Sequence, residues 1–134
     1  MPQRILIVED DAINVKFMKV VLTRKGGYEV LVSEDVDEIL QLAASGGVDA
    51  IIMDISLSRS TFEGQKVDGI FITRLLKSKP ETARVPVILA TAHAMFGDRE
   101  RFISETGAEH YISKPIHDPD LFLGEVRRIL PLPT

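Results

Sequence analysis

The chain has no cysteine, which excludes a disulfide framework, a thiolate zinc site and a cysteine nucleophile. It has no surplus of basic charge either. Sixteen Lys and Arg against twenty Asp and Glu leave a net charge of -4, and no lysine-rich block or tail is present. Nucleic acid is therefore not expected as a primary ligand. No apolar run approaches the roughly 20 residues that a bilayer-spanning helix needs, and the first run, "ILIV" at residues 5–8, is too short for a signal-peptide core. Repeats and low-complexity segments are also missing. With 134 residues, 45% of them apolar, the chain has enough material for one real core and too little for two ordinary ones. The expectation is a single domain over residues 1–134, soluble and cytoplasmic, with no membrane partner.

Three short runs are apolar on successive residues: "ILIV" (5–8), "AIIM" (50–53) and "VILAT" (87–91). Each is too short for a helix and reads as a strand buried on both faces. "YEVLVS" (28–33) and "HYIS" (110–113) are weaker strands, expected nearer the sheet edges. Between them the period becomes helical. Val15, Met18 and Leu22 form a stripe within residues 12–25, which Gly26-Gly27 can end. Val36, Ile39, Leu40 and Ala43 form another, opened by Asp35 as N-cap with Glu38 completing a capping box. Ile72, Leu75 and Leu76 form a third, stopped before Pro80. A less amphipathic helix spans 98–106 and closes at Gly107. Asp118-Pro119 opens the last, with proline at the first helical position and Phe122, Val126, Ile129 and Leu130 facing inward. The alternation βαβαβαβαβα predicts an α/β fold, a five-stranded parallel sheet with helices on both faces. In such doubly wound sheets function sits at the carboxyl ends of the strands.

The residues just past the strand ends form a chemically coherent set. Glu9, Asp10 and Asp11 come after the first strand, Asp54 after the third, Thr91 and Ala92 after the fourth, and Lys114 and Pro115 after the fifth. Two carboxylates about 4 Å apart repel by roughly 4 kcal/mol at an effective dielectric near 20. Glu9, Asp10 and Asp54 crowded together therefore call for a cation. Hard carboxylate oxygens with room for water suit Mg²⁺, which often joins carboxylates to a phosphate. A threonine hydroxyl and a lysine ammonium opposite them suit phosphoryl oxygens. The set reads as a site for placing a phosphoryl group on Asp54, with carboxylate as nucleophile.

Together, "ILIVEDD", "IIMDIS", "VILATAHA" and "YISKPI" closely resemble the receiver domain of two-component response regulators over nearly the whole chain. The resemblance implies the flavodoxin-like strand order 2-1-3-4-5, an order the chemotaxis receiver exemplifies. It implies Asp54 as the phosphorylation site. Asp10 becomes a direct Mg²⁺ ligand, Glu9 acts through metal-bound water, and Ser56 supplies a backbone carbonyl to the metal. Thr91 becomes the switch hydroxyl, Ala92 its neighbour in the phosphate-binding turn, Tyr111 the switch aromatic and Lys114 the phosphate-pairing lysine, aimed by a cis bond to Pro115. The implied donor is a sensor histidine kinase or a phosphotransfer protein. Phosphorylation would draw Thr91 and Tyr111 inward and alter the surface around the fourth helix and fifth strand. With the chain ending in "LPLPT", output is expected through docking to an unknown partner protein or onward transfer in a phosphorelay.

The pattern departs from the family at one place. The position that usually holds proline after the phospho-aspartate is Ser58, and Asp68-Gly69 arrives about seven residues late. The intervening insertion, 58–67, is polar and is expected to be a mobile solvated loop that tunes partner choice. Asp11 reads as a helix N-terminal charge, His93 as a partly exposed residue at the mouth of the site, and His110 and His117 carry no role. Two other readings compete. In one, the residues are relics and the domain binds a partner without phosphorylation. In the other, the chain is a haloacid-dehalogenase-like phosphatase, but that family wants a second acid where this chain has Ser56.

Overall fold

The computed structural model describes residues 2–92, 97–114 and 116–130. Five strands, β1 (Arg4–Val8), β2 (Glu29–Val32), β3 (Ala50–Asp54), β6 (Val87–Thr91) and β7 (His110–Ser113), form one parallel sheet in the order β2-β1-β3-β6-β7. Counting these five alone, the order is 2-1-3-4-5, as expected. Between β3 and β6 a small hairpin intervenes, β4 (Thr61–Phe62) and β5 (Gln65–Lys66), paired antiparallel. The helices are α1 (Ala12–Val20), α2 (Val36–Ser45), α3 (Gly69–Lys77), a short α4 (Pro80–Ala83), α5 (Asp98–Thr106) and α6 (Pro119–Ile129).

Strand side chains alternate in direction, so each central strand divides its residues between two cores. Leu6, Val8, Ile51, Met53 and Leu89 point to one side, where they meet Ile39 of α2 and Ile72 and Leu76 of α3. Ile5, Ile7, Ala50, Ile52 and Ile88 point to the other, against Met18 of α1 and Phe122 and Val126 of α6. Every residue of β3 and β6 is buried. That is why these runs are apolar without alternation. Fully burying one such Ile or Leu contributes roughly 1.5–3 kcal/mol. The edge strand β2 is only half covered, with Val32 left exposed.

The helix boundaries follow their caps, with three departures from expectation. The first helix leaves the α path after Val20, and Val21–Lys25 form a wider π turn in which the Gly26 amide bonds the Val21 carbonyl at 3.2 Å. At α2 the Asp35 side chain caps the Asp37 amide as an N-cap should. The reciprocal contact expected from Glu38 is made instead by Ser33, whose hydroxyl accepts from the Asp35 amide at 3.1 Å. Pro80, expected only as a stop, opens the short α4, because proline suits the first helical turn. Asp68 and Asp118 cap α3 and α6 through bonds to the Phe71, Asp120 and Leu121 amides.

The insertion is mostly exposed, as expected of a solvated segment, but it is not irregular. It is folded onto the domain as a hairpin. Glu63 and Gly64 turn it with φ of 52° and 82°, the paired positive φ of a type I′ hairpin turn. Ser60 is buried and its hydroxyl donates to the Glu34 carbonyl at 2.8 Å. Arg59 pairs with Glu34 at 2.7 Å. Phe62 packs against Phe71 of α3 with ring centroids 5.8 Å apart. Phe62, Val67 and one buried serine anchor a segment that is otherwise mostly polar.

Candidate functional site

All parallel strands present their carboxyl ends to one edge, so residues far apart in sequence meet there. Asp54 at the end of β3 lies in register with Ala90 of β6, and Thr91 with Ser113 of β7. The ladder continues past the strand ends. The Ile55 amide bonds the Ala90 carbonyl at 3.0 Å, and the Lys114 amide bonds the Thr91 carbonyl at 2.8 Å. Glu9, Asp54 and Thr91 are buried, as is the Lys114 side chain. Asp10 is half-buried.

The Lys114 ammonium donates to Glu9 Oε1 at 2.7 Å and to Asp54 Oδ1 at 3.3 Å. Asp54 Oδ1 also accepts from the Ser56 amide at 3.1 Å, and Glu9 Oε2 from the Asp11 amide at 3.3 Å. One carboxylate oxygen from each of Glu9, Asp10 and Asp54 lies within 4.8 Å of the others. The Lys114 ammonium bonds two of the three acids, while Asp10 is held by Ser58. Burial, reinforced by Asp54 and opposed by Lys114, pushes the Glu9 carboxyl up to about 7. The Ser58 hydroxyl bonded to Asp10 holds that carboxyl below its usual range. Burial works against the Lys114 charge, but the hydrogen bond to Glu9 and the charge of Asp54 outweigh it and raise the pKa. This cluster of hard oxygen donors, short of positive charge, fits a small divalent cation such as Mg²⁺.

The structure thus brings Glu9, Asp10, Asp54, Thr91 and Lys114 to one edge, with Ser56 at the rim through its amide and Ala92 exposed next to Thr91. Asp11 is the N-cap of α1, its carboxylate accepting from the Ile13 and Asn14 amides. Tyr111 lies one strand away. Its ring is only 7% exposed and stacks on Phe102 at 6.1 Å. Its hydroxyl is buried with no hydrogen-bond partner among the described residues. In this structure the ring occupies a packed, inward seat against Phe102. His93 and the bond from Lys114 to Pro115 lie outside the described residues.

Sequence reasoning missed three contributors. Ser58 donates its amide and hydroxyl to Asp10 Oδ2 at 3.0 and 2.7 Å, and Arg59 Nη2 donates to the Asp10 carbonyl at 3.3 Å. The departure from proline at Ser58 was visible, but its partner 48 residues away was not. Gly69 is the third. A side chain there would collide with the backbone of Asp54 and Ile55, so this glycine lets α3 start directly against the strand that carries Asp54.

The family model for the response regulator receiver domain matches residues 5–124. The chain belongs to this family. As a receiver it is 41% identical over 119 residues to the polar-differentiation response regulator DivK of Brucella anthropi, covering 89% of each chain. Among solved structures it is similar to the receiver domain of a sensor histidine kinase from Pseudomonas aeruginosa, which has a magnesium ion coordinated in its active site cleft. The identity is 31%, the TM-score 0.77, and 96% of this chain and 98% of that one are covered. A CheY-like receiver domain protein from Methanospirillum hungatei shares the fold at 24% identity and a TM-score of 0.75, over 96% and 93% of the two chains. No helix among the described residues is long and apolar enough to cross a membrane.

Proposed function

We propose that this receiver is a single-domain response regulator, residues 1–134, that accepts a phosphoryl group on Asp54 from a histidine kinase or phosphotransfer protein. The observation that carries the reading is Lys114, buried and bonded at once to Glu9 and Asp54, beside the three-acid cluster. The Asp54 carboxylate attacks phosphorus, the bond to the donor breaks, and the donor leaves with its electron pair. Asp10 and Asp54, with the Ser56 carbonyl and Glu9 through water, would hold Mg²⁺. When bound, the ion offsets charge on the acids and on the transferring group. Lys114 is already a cation and keeps its charge throughout. The acyl phosphate adds about 1.5 to 2 negative charges, to which the Thr91 hydroxyl and the Lys114 ammonium turn. With Tyr111 already inside, recruitment of Thr91 locks that arrangement. The receiver catalyses no turnover beyond its own phosphorylation and dephosphorylation, works in the cytoplasm, and signals by docking to an output protein or by onward transfer.

The test is direct. Acetyl phosphate with Mg²⁺ should add one phosphoryl group that hydroxylamine removes, and Asp54→Asn should abolish it. Labelling that persists in the variant would reassign the acceptor. Partner binding without any labelling of the wild type would favour a phosphorylation-independent module, and turnover of a generic phosphate ester would favour a phosphatase.

A further inference from the structure

Of the three acids in the cluster, Asp10 is the most exposed, and it makes no contact with Lys114 among the bonds that join Glu9 and Asp54 to that ammonium. Its carboxylate sits in the turn between β1 and the N-cap of α1. Left to itself, it would lose side-chain rotamer freedom on meeting a cation. It is not left to itself. Both donors of Ser58 converge on one of its oxygens, Oδ2: the hydroxyl at 2.7 Å and the amide at 3.0 Å.

The donors are themselves held. Leu57 and Ser60 on either side of the pair Ser58-Arg59 are buried. The Ser60 hydroxyl bonds the Glu34 carbonyl at 2.8 Å, and Arg59 grips the Glu34 carboxylate at 2.7 and 3.3 Å while also bonding the Asp10 carbonyl. The start of the hairpin is thus fastened at once to the β2–α2 connection and to the Asp10 backbone. An ionised carboxylate oxygen has two acceptor positions, and those of Oδ2 are both taken. The oxygen that remains is Oδ1.

We propose that Ser58 is a positioning residue for metal binding. It fixes the Asp10 carboxylate in one rotamer and reserves Oδ2, so that Asp10 meets a divalent cation through Oδ1 alone. Single-oxygen ligation suits Mg²⁺, which demands near-octahedral geometry and keeps several waters. Hydrogen bonds that orient a ligating carboxylate commonly carry a roughly 10- to 100-fold effect on metal affinity. The proposal rests on the acid cluster being a metal site, and the experiment separates the two.

Isothermal titration of the full chain with MgCl₂ should compare wild type with Ser58→Ala, Ser58→Thr and Ser58→Pro. The alanine variant keeps only the amide donor and should bind Mg²⁺ about 10-fold more weakly. Threonine restores the hydroxyl and should recover affinity to within about threefold. Proline lacks both donors and should be weaker than alanine. Ser58 is exposed, so thermal unfolding in EDTA should be nearly the same for wild type, alanine and threonine variants, which separates positioning from folding. Wild-type affinity in Ser58→Ala would overturn the role of Ser58 and leave the metal site standing. A threonine variant that folds but fails to recover affinity would also overturn it. Wild type that binds no Mg²⁺ would overturn both.

Discussion

A methyl group at Gly69 should both destabilise the receiver and disturb the placement of Asp54. A Cβ built there lies 2.0 Å from the Asp54 carbonyl oxygen, 2.8 Å from its carbonyl carbon and 3.0 Å from the Ile55 Cα. All three are backbone atoms, so no side chain can swing aside. An ordinary contact is about 3.5 Å, so α3 and the end of β3 must part by roughly 1.5 Å. That movement also stretches the bond from the Gly69 amide to the Ile55 carbonyl, now 3.1 Å. Overpacking costs about 1–3 kcal/mol and a backbone bond about 1 kcal/mol, so Gly69→Ala should lose about 2–4 kcal/mol in a urea unfolding series. At roughly 4 °C per kcal/mol for a domain of this size, the melting temperature should fall by about 8–16 °C. Gly124→Ala is the matched control. It lies inside α6 with nothing within 4 Å of an added Cβ, and should gain about 0.5–1 kcal/mol from helix propensity. Acetyl-phosphate labelling should slow in Gly69→Ala and stay unchanged in Gly124→Ala. A loss below about 1 kcal/mol at Gly69 would refute the close-approach argument. Unchanged labelling despite lost stability would show that the placement of Asp54 does not depend on α3.

Three further outcomes are expected. His110 is buried, with Arg99 3.3 Å from Nδ1 and Glu125 3.6 Å from Nε2; burial, then Arg99, with a smaller push from Arg128, hold its pKa below the ordinary value against the pull of Glu125. The unfolded chain therefore binds more protons there, so stability is full above about pH 6.5 and declines as pH falls toward the folded value; urea unfolding of His110→Gln between about pH 5 and 7 should show a shallower decline. Thr91→Ala should leave Mg²⁺ titration nearly unchanged, yet phosphorylation should no longer alter the amide spectrum around Tyr111, because the hydroxyl acts only once a phosphoryl oxygen can accept from it. Replacing residues 61–66 by a two-residue turn, with Ser58, Arg59 and Ser60 kept, should leave acetyl-phosphate labelling within a few-fold and change transfer from a phosphodonor protein more; equal loss of both rates would place the hairpin tip in the chemistry.

The strand and helix alternation was legible because burial leaves a periodic trace. The runs at 50–53 and 87–91 are apolar on successive residues since both faces of β3 and β6 are covered. The stripes on α2 and α6 recur at helical spacing since one face of each is inside. The acids and the lysine were legible for a similar reason. A parallel sheet sends every strand's carboxyl end to one edge, so residues just past the strands are neighbours before any distance is known. The role proposed for Asp54 rests on the resemblance to a family as much as on its chemistry.

Local pattern could not reach contacts whose two halves lie in different parts of the chain. The pairing of Ser58 with Asp10, of Arg59 with Glu34 and of Phe62 with Phe71 leaves no period in the sequence. A mostly polar segment with no stripe therefore looked like a free loop, although Phe62, Val67 and one buried serine were enough to fold it down. The same holds at His110 and Tyr111, whose burial depends on α5 and α6 packing over β7. The sequence by itself determined which residues form strands and helices and which groups reach the functional edge, because those depend on periodicity and chain direction. Only the tertiary structure decided which oxygen of Asp10 is occupied, why position 69 admits no side chain and where Tyr111 rests, because each depends on atoms brought within a few ångströms by folding.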